Sequence, residues 1–208
     1  MPESTPQRLL KNAERLMAEK GIAATSVREI TDASNANVAS VNYYFGSKSE
    51  LLLELLKNRF TQLDAELLAR VSDVETKTNG HVPDIRELTG AYFDALAHLG
   101  FDGETGQLDP FILLIQRASA EQEVVLERAQ DYHAPGITKM VSLLAYSVPE
   151  ERRKSLEIPV LMGLMFTASV TAMIAMNPEH KNEILFSAVR EFLVAGIEAY
   201  MRRFADAS

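Results

Sequence analysis

The 208-residue chain has no cysteine, no tryptophan and only 4 histidines. Without cysteine it forms no disulfide and no thiolate metal site, which suits a reducing compartment. The histidines, His81, His98, His133 and His180, stand far apart and none has metal-ligand spacing. No metal and no cofactor is therefore expected. A phosphate-cradling glycine loop, HExxH, Gly-x-Ser-x-Gly and a cysteine nucleophile are all missing, so the common enzyme signatures are absent. There is no convincing strand alternation, internal repeat or low-complexity tract. The N-terminal MPESTPQRLL lacks the basic start and apolar run of a signal peptide, and the expected location is cytoplasmic.

Positive charge is also scarce. The formal net charge is −8 and the sequence pI is near 5.1. The deficit is uneven, because residues 1–48 hold six Lys and Arg against five Asp and Glu, while residues 49–208 hold fifteen against twenty-four. Phosphate is repelled by the second part and tolerated by the first, so nucleic acid can approach from one end only. A hydrophobic content of 47% supplies a core for one large helical domain, or for a small one joined to a larger one.

What is present concentrates in Thr25–Leu51. Ser26 followed by Glu29 is a capping-box spacing ahead of a short amphipathic helix to about Ala33. The polar run Ser34-Asn35-Ala36-Asn37 breaks it, with Asn35 able to take a left-handed turn and Asn37 able to cap the next helix. That second short helix runs to about Tyr44, and Ser47 with Glu50 repeats the capping-box spacing for a third. Two short helices across a tight turn predict a helix-turn-helix, whose second helix enters the major groove of duplex DNA. Ahead of it, Thr5-Pro6 predicts a capped helix start, and Leu9, Leu10, Ala13, Leu16 and Met17 recur at helical spacing until Gly21. That stripe should meet Ile22, Val27, Ile30, Val41 and Phe45 in a small three-helix core.

The run Asn42-Tyr43-Tyr44-Phe45-Gly46-Ser47-Lys48-Ser49-Glu50-Leu51 resembles the DNA-binding end of TetR/AcrR-type transcriptional regulators. The resemblance is close over about the first fifty residues and beyond them extends to length, helical character and element order. Family members commonly carry Gly where Asn35 stands and Tyr where Asn42 stands. The resemblance implies an all-α homodimer with an N-terminal three-helix helix-turn-helix domain, a larger C-terminal helical domain and a four-helix dimer interface. It further implies a ligand-responsive repressor released from a palindromic operator by a small-molecule effector. The Val-Asn-Tyr-aromatic-Phe-Gly-Ser-Lys wording is similar to a subgroup that includes responders to fatty acids or their thioesters. The division expected is residues 1–48 for DNA and residues 49–208 for effector and dimerisation. A helical enzyme with an unrecognised site, or a scaffold using the helix-turn-helix for protein contacts, is the alternative.

In the reading helix Val38, Ala39, Ser40, Asn42 and Tyr44 are the candidates for base edges. Asn pairs two-pronged with adenine, Ser bonds several bases, and Val and Ala touch a thymine methyl. Tyr43, Lys48, Ser26 and Arg28 are candidates for phosphate, with a helix cap the other role open to Ser26 and a packed ring the other role open to Tyr43.

Leucines from Leu51 to Leu68 predict a long helix from Ser49 to about Val71, then a polar loop to His81. Further helices are expected over Val82–Leu99, Pro110–Ala120, Gln122–Tyr146, Pro149–Met176 and Lys181–Ala205, with Pro135-Gly136 kinking or dividing the third of these. Ile158–Met176 carries no charge for nineteen positions, near the length of a membrane span. Pro159, Thr167, Ser169 and Thr171 and the lack of a second span favour a helix buried against a partner chain instead. With the stripe Leu185, Val189, Phe192, Gly196 and Tyr200, it would form the dimer seam. Tyr92, Phe93, Phe111, Leu114, Arg117 and Phe166 are candidates for an effector pocket of apolar walls with one cationic anchor, and each can equally be core or, for Arg117, a salt-bridge partner.

Overall fold

The computed structural model describes residues 3–100, 109–120, 134–146 and 182–205. Among them are eight α-helices and no strand: α1 (Thr5–Lys20), α2 (Val27–Ala33), α3 (Ala39–Phe45), α4 (Lys48–Lys77), α5 (Ile85–Gly100), α6 (Pro110–Ala120), α7 (Pro135–Ala145) and α8 (Asn182–Ala205). The expected helix over Pro149–Met176 lies outside the described residues, and with it Phe166 and the charge-free run. Among the described residues no helix is long and apolar enough to cross a membrane. Packing groups the chain into two compact units, Met1–Thr61 with Leu108–His133 and Gln62–Gln107 with Ala134–Ser208.

In the first unit α1 starts one residue earlier than Thr5-Pro6 suggests. Ser4 is the cap, and its N–H donates to Gln7 Oε1 at 2.9 Å. The proline then falls in the first turn, where its missing N–H costs nothing. Leu9, Ala13, Leu16, Met17 and Ala18 of α1 are buried together with Ile22, Ile30 and Val41, while Leu10, Val27 and Phe45 are half-buried. Each large side chain so buried stabilises the head by roughly 1.5–3 kcal/mol. α6 also packs on α1, burying Phe111, Leu114 and Ala118. Arg59 of α4 sits beside this contact. Its Nε lies 2.8 Å from Glu14 Oε1, it also pairs with Asp109, and its guanidinium stands 5.0 Å from the centre of the Phe111 ring. Asp109 Oδ1 in turn accepts the Phe111 N–H at 2.8 Å and caps α6.

In the second unit α4 runs on to Lys77, six residues past the expected end at Val71. Ser72 and Thr76 point their hydroxyls back at the carbonyls of Leu68 and Ser72, 2.7 and 2.8 Å away, so their polarity does not break the helix. Lys139 of α7 reaches Glu75 at 2.7 Å and Ser72 Oγ at 3.1 Å, adding a tertiary tie that local polarity could not reveal. Beyond the helix come Asn79 (φ 48) and Gly80 (φ 86), a left-handed pair suited to those residue types. α5 begins at Ile85 rather than Val82, because Pro83 precedes Asp84, whose Oδ1 accepts the Arg86 N–H at 2.8 Å. At Pro135-Gly136 a helix begins. The buried Asp64 of α4 accepts the N–H groups of Gly136 and Ile137 at 2.9 and 3.0 Å. α8 packs on α5 and buries Leu193, Val194 and Ile197, leaving Phe192 69% exposed and open space at Gly196.

Candidate nucleic-acid interface

The reading helix is built from its caps outward. Ser26 Oγ accepts the Glu29 N–H at 3.2 Å while the Glu29 carboxylate accepts the Ser26 N–H at 2.8 Å, closing the expected capping box at the head of α2. α2 ends at Ser34, and Asn35 turns left-handed at φ 48 so that the Ala36 N–H reaches the Thr31 carbonyl at 2.9 Å. Asn37 Oδ1 then accepts the Ala39 N–H at 2.9 Å, as its residue type predicts, and α3 begins.

On this seven-residue helix Val41 faces inward and Phe45 is half-buried. The opposite side carries Ala39, Asn42 and Tyr43, with Val38 just before it, and positions 39, 42 and 43 share one face at helical spacing. Tyr43 is 82% exposed, its ring edge-on to that of Tyr44 at 4.9 Å, so it is not a core ring. Tyr44 is 45% and Val38 49% exposed, and Ser40 is half-buried. Arg28 lies on the exposed side of α2, 3.8 Å from Asp32. That exposed pair contributes about 0–1 kcal/mol, so a phosphate can take the place of Asp32 at little cost.

Side chains from outside α3 hold this face still, and Lys48, expected at phosphate, is one of them. Arg8 of α1 donates from Nε to the Ser34 carbonyl at 3.0 Å, and Ser34 Oγ lies 2.7 Å from the Ile30 carbonyl and 3.1 Å from that of Arg8. The buried Thr25 places Oγ1 2.8 Å from the Gly21 carbonyl, and Lys20 meets Glu29 at 2.7 Å. Lys48 donates from Nζ to the carbonyls of Ile22 and Thr25 at 2.7 and 2.8 Å. The longest of these ties, from Arg8 and from Lys48, link positions 26 residues apart, and no local spacing announces them.

The effector candidates fall in separate places. Phe111, Leu114 and Arg117 lie on α6 in the first unit, where Phe111 also meets the Phe60 ring edge-on at 5.6 Å. Arg117 donates to the Ala18 and Glu19 carbonyls at 3.1 and 3.2 Å, a cation on the last turn of α1, where the helix dipole favours one. Tyr92 and Phe93 are buried on α5 in the second unit, and burial pushes the Tyr92 hydroxyl pKa up.

Residues 9–55, the span just described, match the family model for bacterial regulatory proteins of the tetR family. Over this span the chain carries a TetR-family DNA-binding domain. It is a DNA-binding transcriptional regulator of the helix-turn-helix type, and its curated relatives are regulators rather than enzymes. It is 24% identical over 191 residues to the probable HTH-type transcriptional regulator YttP of Bacillus subtilis, covering 92% of this chain and 86% of that protein. Over 90 residues, 43% of each chain, it is 33% identical to the HTH-type transcriptional repressor KstR2 of Mycobacterium tuberculosis. Among solved structures, the fatty acid degradation regulator FadR from Bacillus halodurans shares the TetR-family fold with a TM-score of 0.61 at 15% identity, over 93% of this chain and 96% of that one.

Proposed function

We propose that this regulator is a homodimeric repressor that binds a palindromic operator and is released by a small-molecule effector. The observation that carries the reading is the outward stripe of α3, polar and aromatic, on a head whose frame is tied by side chains from α1 and α4. Val38, Ala39, Ser40, Asn42 and Tyr44 read bases, and Ser26, Arg28 and Tyr43 meet phosphate. Function divides at residue 48, with the effector and dimer parts beyond it, and the protein works in the cytoplasm beside its DNA. The last two helices of each chain form a four-helix dimer seam that sets two heads about 34 Å apart, one turn of duplex.

The effector is a largely apolar molecule with one anionic end, such as an acyl chain or its thioester. The apolar and aromatic candidates Tyr92, Phe93, Phe111, Leu114 and Phe166, as residue types, and the fold shared with a fatty acid degradation regulator support this reading. Arg117 gives it a route to DNA. Two of its five N–H groups hold α1 carbonyls, so an anion that draws the guanidinium away acts directly on α1. Such an effector works only if its affinity differs between the released and DNA-bound states.

The test is purified protein on duplexes from its own upstream region, at several salt concentrations, with and without long-chain fatty acids and their thioesters. Salt-dependent binding to a palindrome, reversed by an acyl compound, is expected. No duplex binding overturns the regulator reading, and release by a cationic molecule alone overturns the acyl one.

A further inference from the structure

We propose that Lys48 is a positioning residue for the reading helix, acting through backbone carbonyls of the same head and not through DNA phosphate. Lys48 is the first residue of α4, two positions after the Gly46 that ends α3. A cation at a helix N-terminus is opposed by the helix dipole, so something else must hold it there. The carbonyls of Ile22 and Thr25 supply that hold at 2.7 and 2.8 Å, and the ammonium is part-buried between them. Two of its three N–H groups are thus spent inside the protein before any DNA arrives.

The place of these acceptors gives the contact its meaning. Thr25 immediately precedes Ser26, the cap of α2, and Lys48 comes just after the end of α3. One side chain therefore joins the entry of the helix-turn-helix to its exit. Arg8 and Ser34 tie the turn in its middle, through Nε to the Ser34 carbonyl at 3.0 Å. With the turn and both ends fixed, α3 has one orientation in which Asn42 and Ser40 can meet base edges. Loss of the Lys48 tie leaves α3 folded and able to approach a backbone, but free to tilt, so base readout suffers and non-specific attraction does not.

The inference rests on the base-reading role proposed for α3, and its test separates the two. The wild-type protein selects duplexes from a random-sequence pool, and then wild type and Lys48→Met are titrated on a selected duplex and on a random one across a salt series. If the wild type enriches no sequence, it is the base-reading role that fails. The expected result is an affinity loss of about tenfold or more on the selected duplex, less than about twofold on the random one, and an unchanged salt slope. Equal losses on both duplexes overturn the proposal. A slope reduced by about one then marks a phosphate contact, and an unchanged slope marks a stabilising contact only. Unchanged affinity on both duplexes overturns it as well. A measurement on DNA-free wild-type protein stands apart from the folding of the variant. In reductive methylation with formaldehyde, Lys48 should react more slowly than the exposed Lys11 and Lys57, and equal rates would remove the tie on which the proposal depends.

Discussion

Glu29 accepts from three donors, the Lys20 ammonium at 2.7 Å and the Ser26 N–H and hydroxyl at 2.8 Å each. Lys20 foremost, then Ser26, hold its pKa well below the ordinary 4.5, at about 2. Glu14 is its opposite, because burial raises its pKa and Arg59 only partly offsets that. A carboxylate with a lowered pKa adds stability that is fully present above its unfolded value and is lost as pH falls from about 4.5 toward about 2. One with a raised pKa destabilises the fold while ionised and is relieved as pH falls through its folded pKa. An NMR titration of side-chain carboxyl carbons should therefore show Glu14 taking its proton before Glu29, and the reverse order would contradict both assignments. Asn42 belongs to the same scale. It is exposed and outside the core, so Asn42→Ala should leave stability within about 0.5 kcal/mol while removing roughly 1–3 kcal/mol of discrimination at one base position. Competition binding against single-base operator variants measures this, and an unaltered preference would take Asn42 out of the readout.

At the scale of elements, α2, α3 and the turn between them are legible in the sequence because their signals are local: a cap with its acid three residues on, an Asn at the left-handed position, a Gly at the end. The same reading sets α4 too short and starts α5 at Val82, since it weighs Ser72–Thr76 by polarity and cannot see Lys139 waiting on another helix. Of the candidate site, the outward residues of α3 are legible from periodicity, while the Arg8–Ser34 tie and the carbonyl contacts of Lys48 and Arg117 depend on pairings 23 to 99 residues apart. The start of α7 shows both cases. Pro135-Gly136 marks a break, but its stabilising partner Asp64 lies 72 residues upstream of Gly136. Asp64→Ala would orphan two N–H groups at that helix start, one of them buried, and should cost about 2–3 kcal/mol. Gly136→Ala brings a Cβ within 2.5 Å of the Asp64 carbonyl oxygen and 2.9 Å of the Leu68 nitrogen, both backbone atoms, and should cost about 1–3 kcal/mol. Urea midpoints of the two variants test this, and a midpoint equal to the wild type for either would show that α7 is held by other means.

For the whole molecule, the outer face of α8 is the part of the proposed dimer seam that the described residues include. Phe192 is 69% exposed there, and a side chain at Gly196 would meet nothing within 4 Å of its Cβ. Gly196→Arg should accordingly leave the single chain folded but place an unpaired charge in the seam, giving monomers by sedimentation and loss of palindrome binding. A dimer of native mass would move the seam off this face. Arg59 bears on a different kind of experiment, the exchange of reading heads between regulators. Its guanidinium gathers Glu14 from α1, Asp109 at the entry to α6 and the Phe111 ring, and Arg117 returns from α6 to the end of α1. A chimera joined at residue 48 would separate α1 from Arg59, Asp109, Phe111 and Arg117 alike, leaving a carboxylate and an apolar stripe to find strangers. Specificity in this protein is therefore portable only as a larger cassette, one that takes α6 along with the head, and grafts that copy the helix-turn-helix alone should express poorly even when the operator they are meant to read is correct.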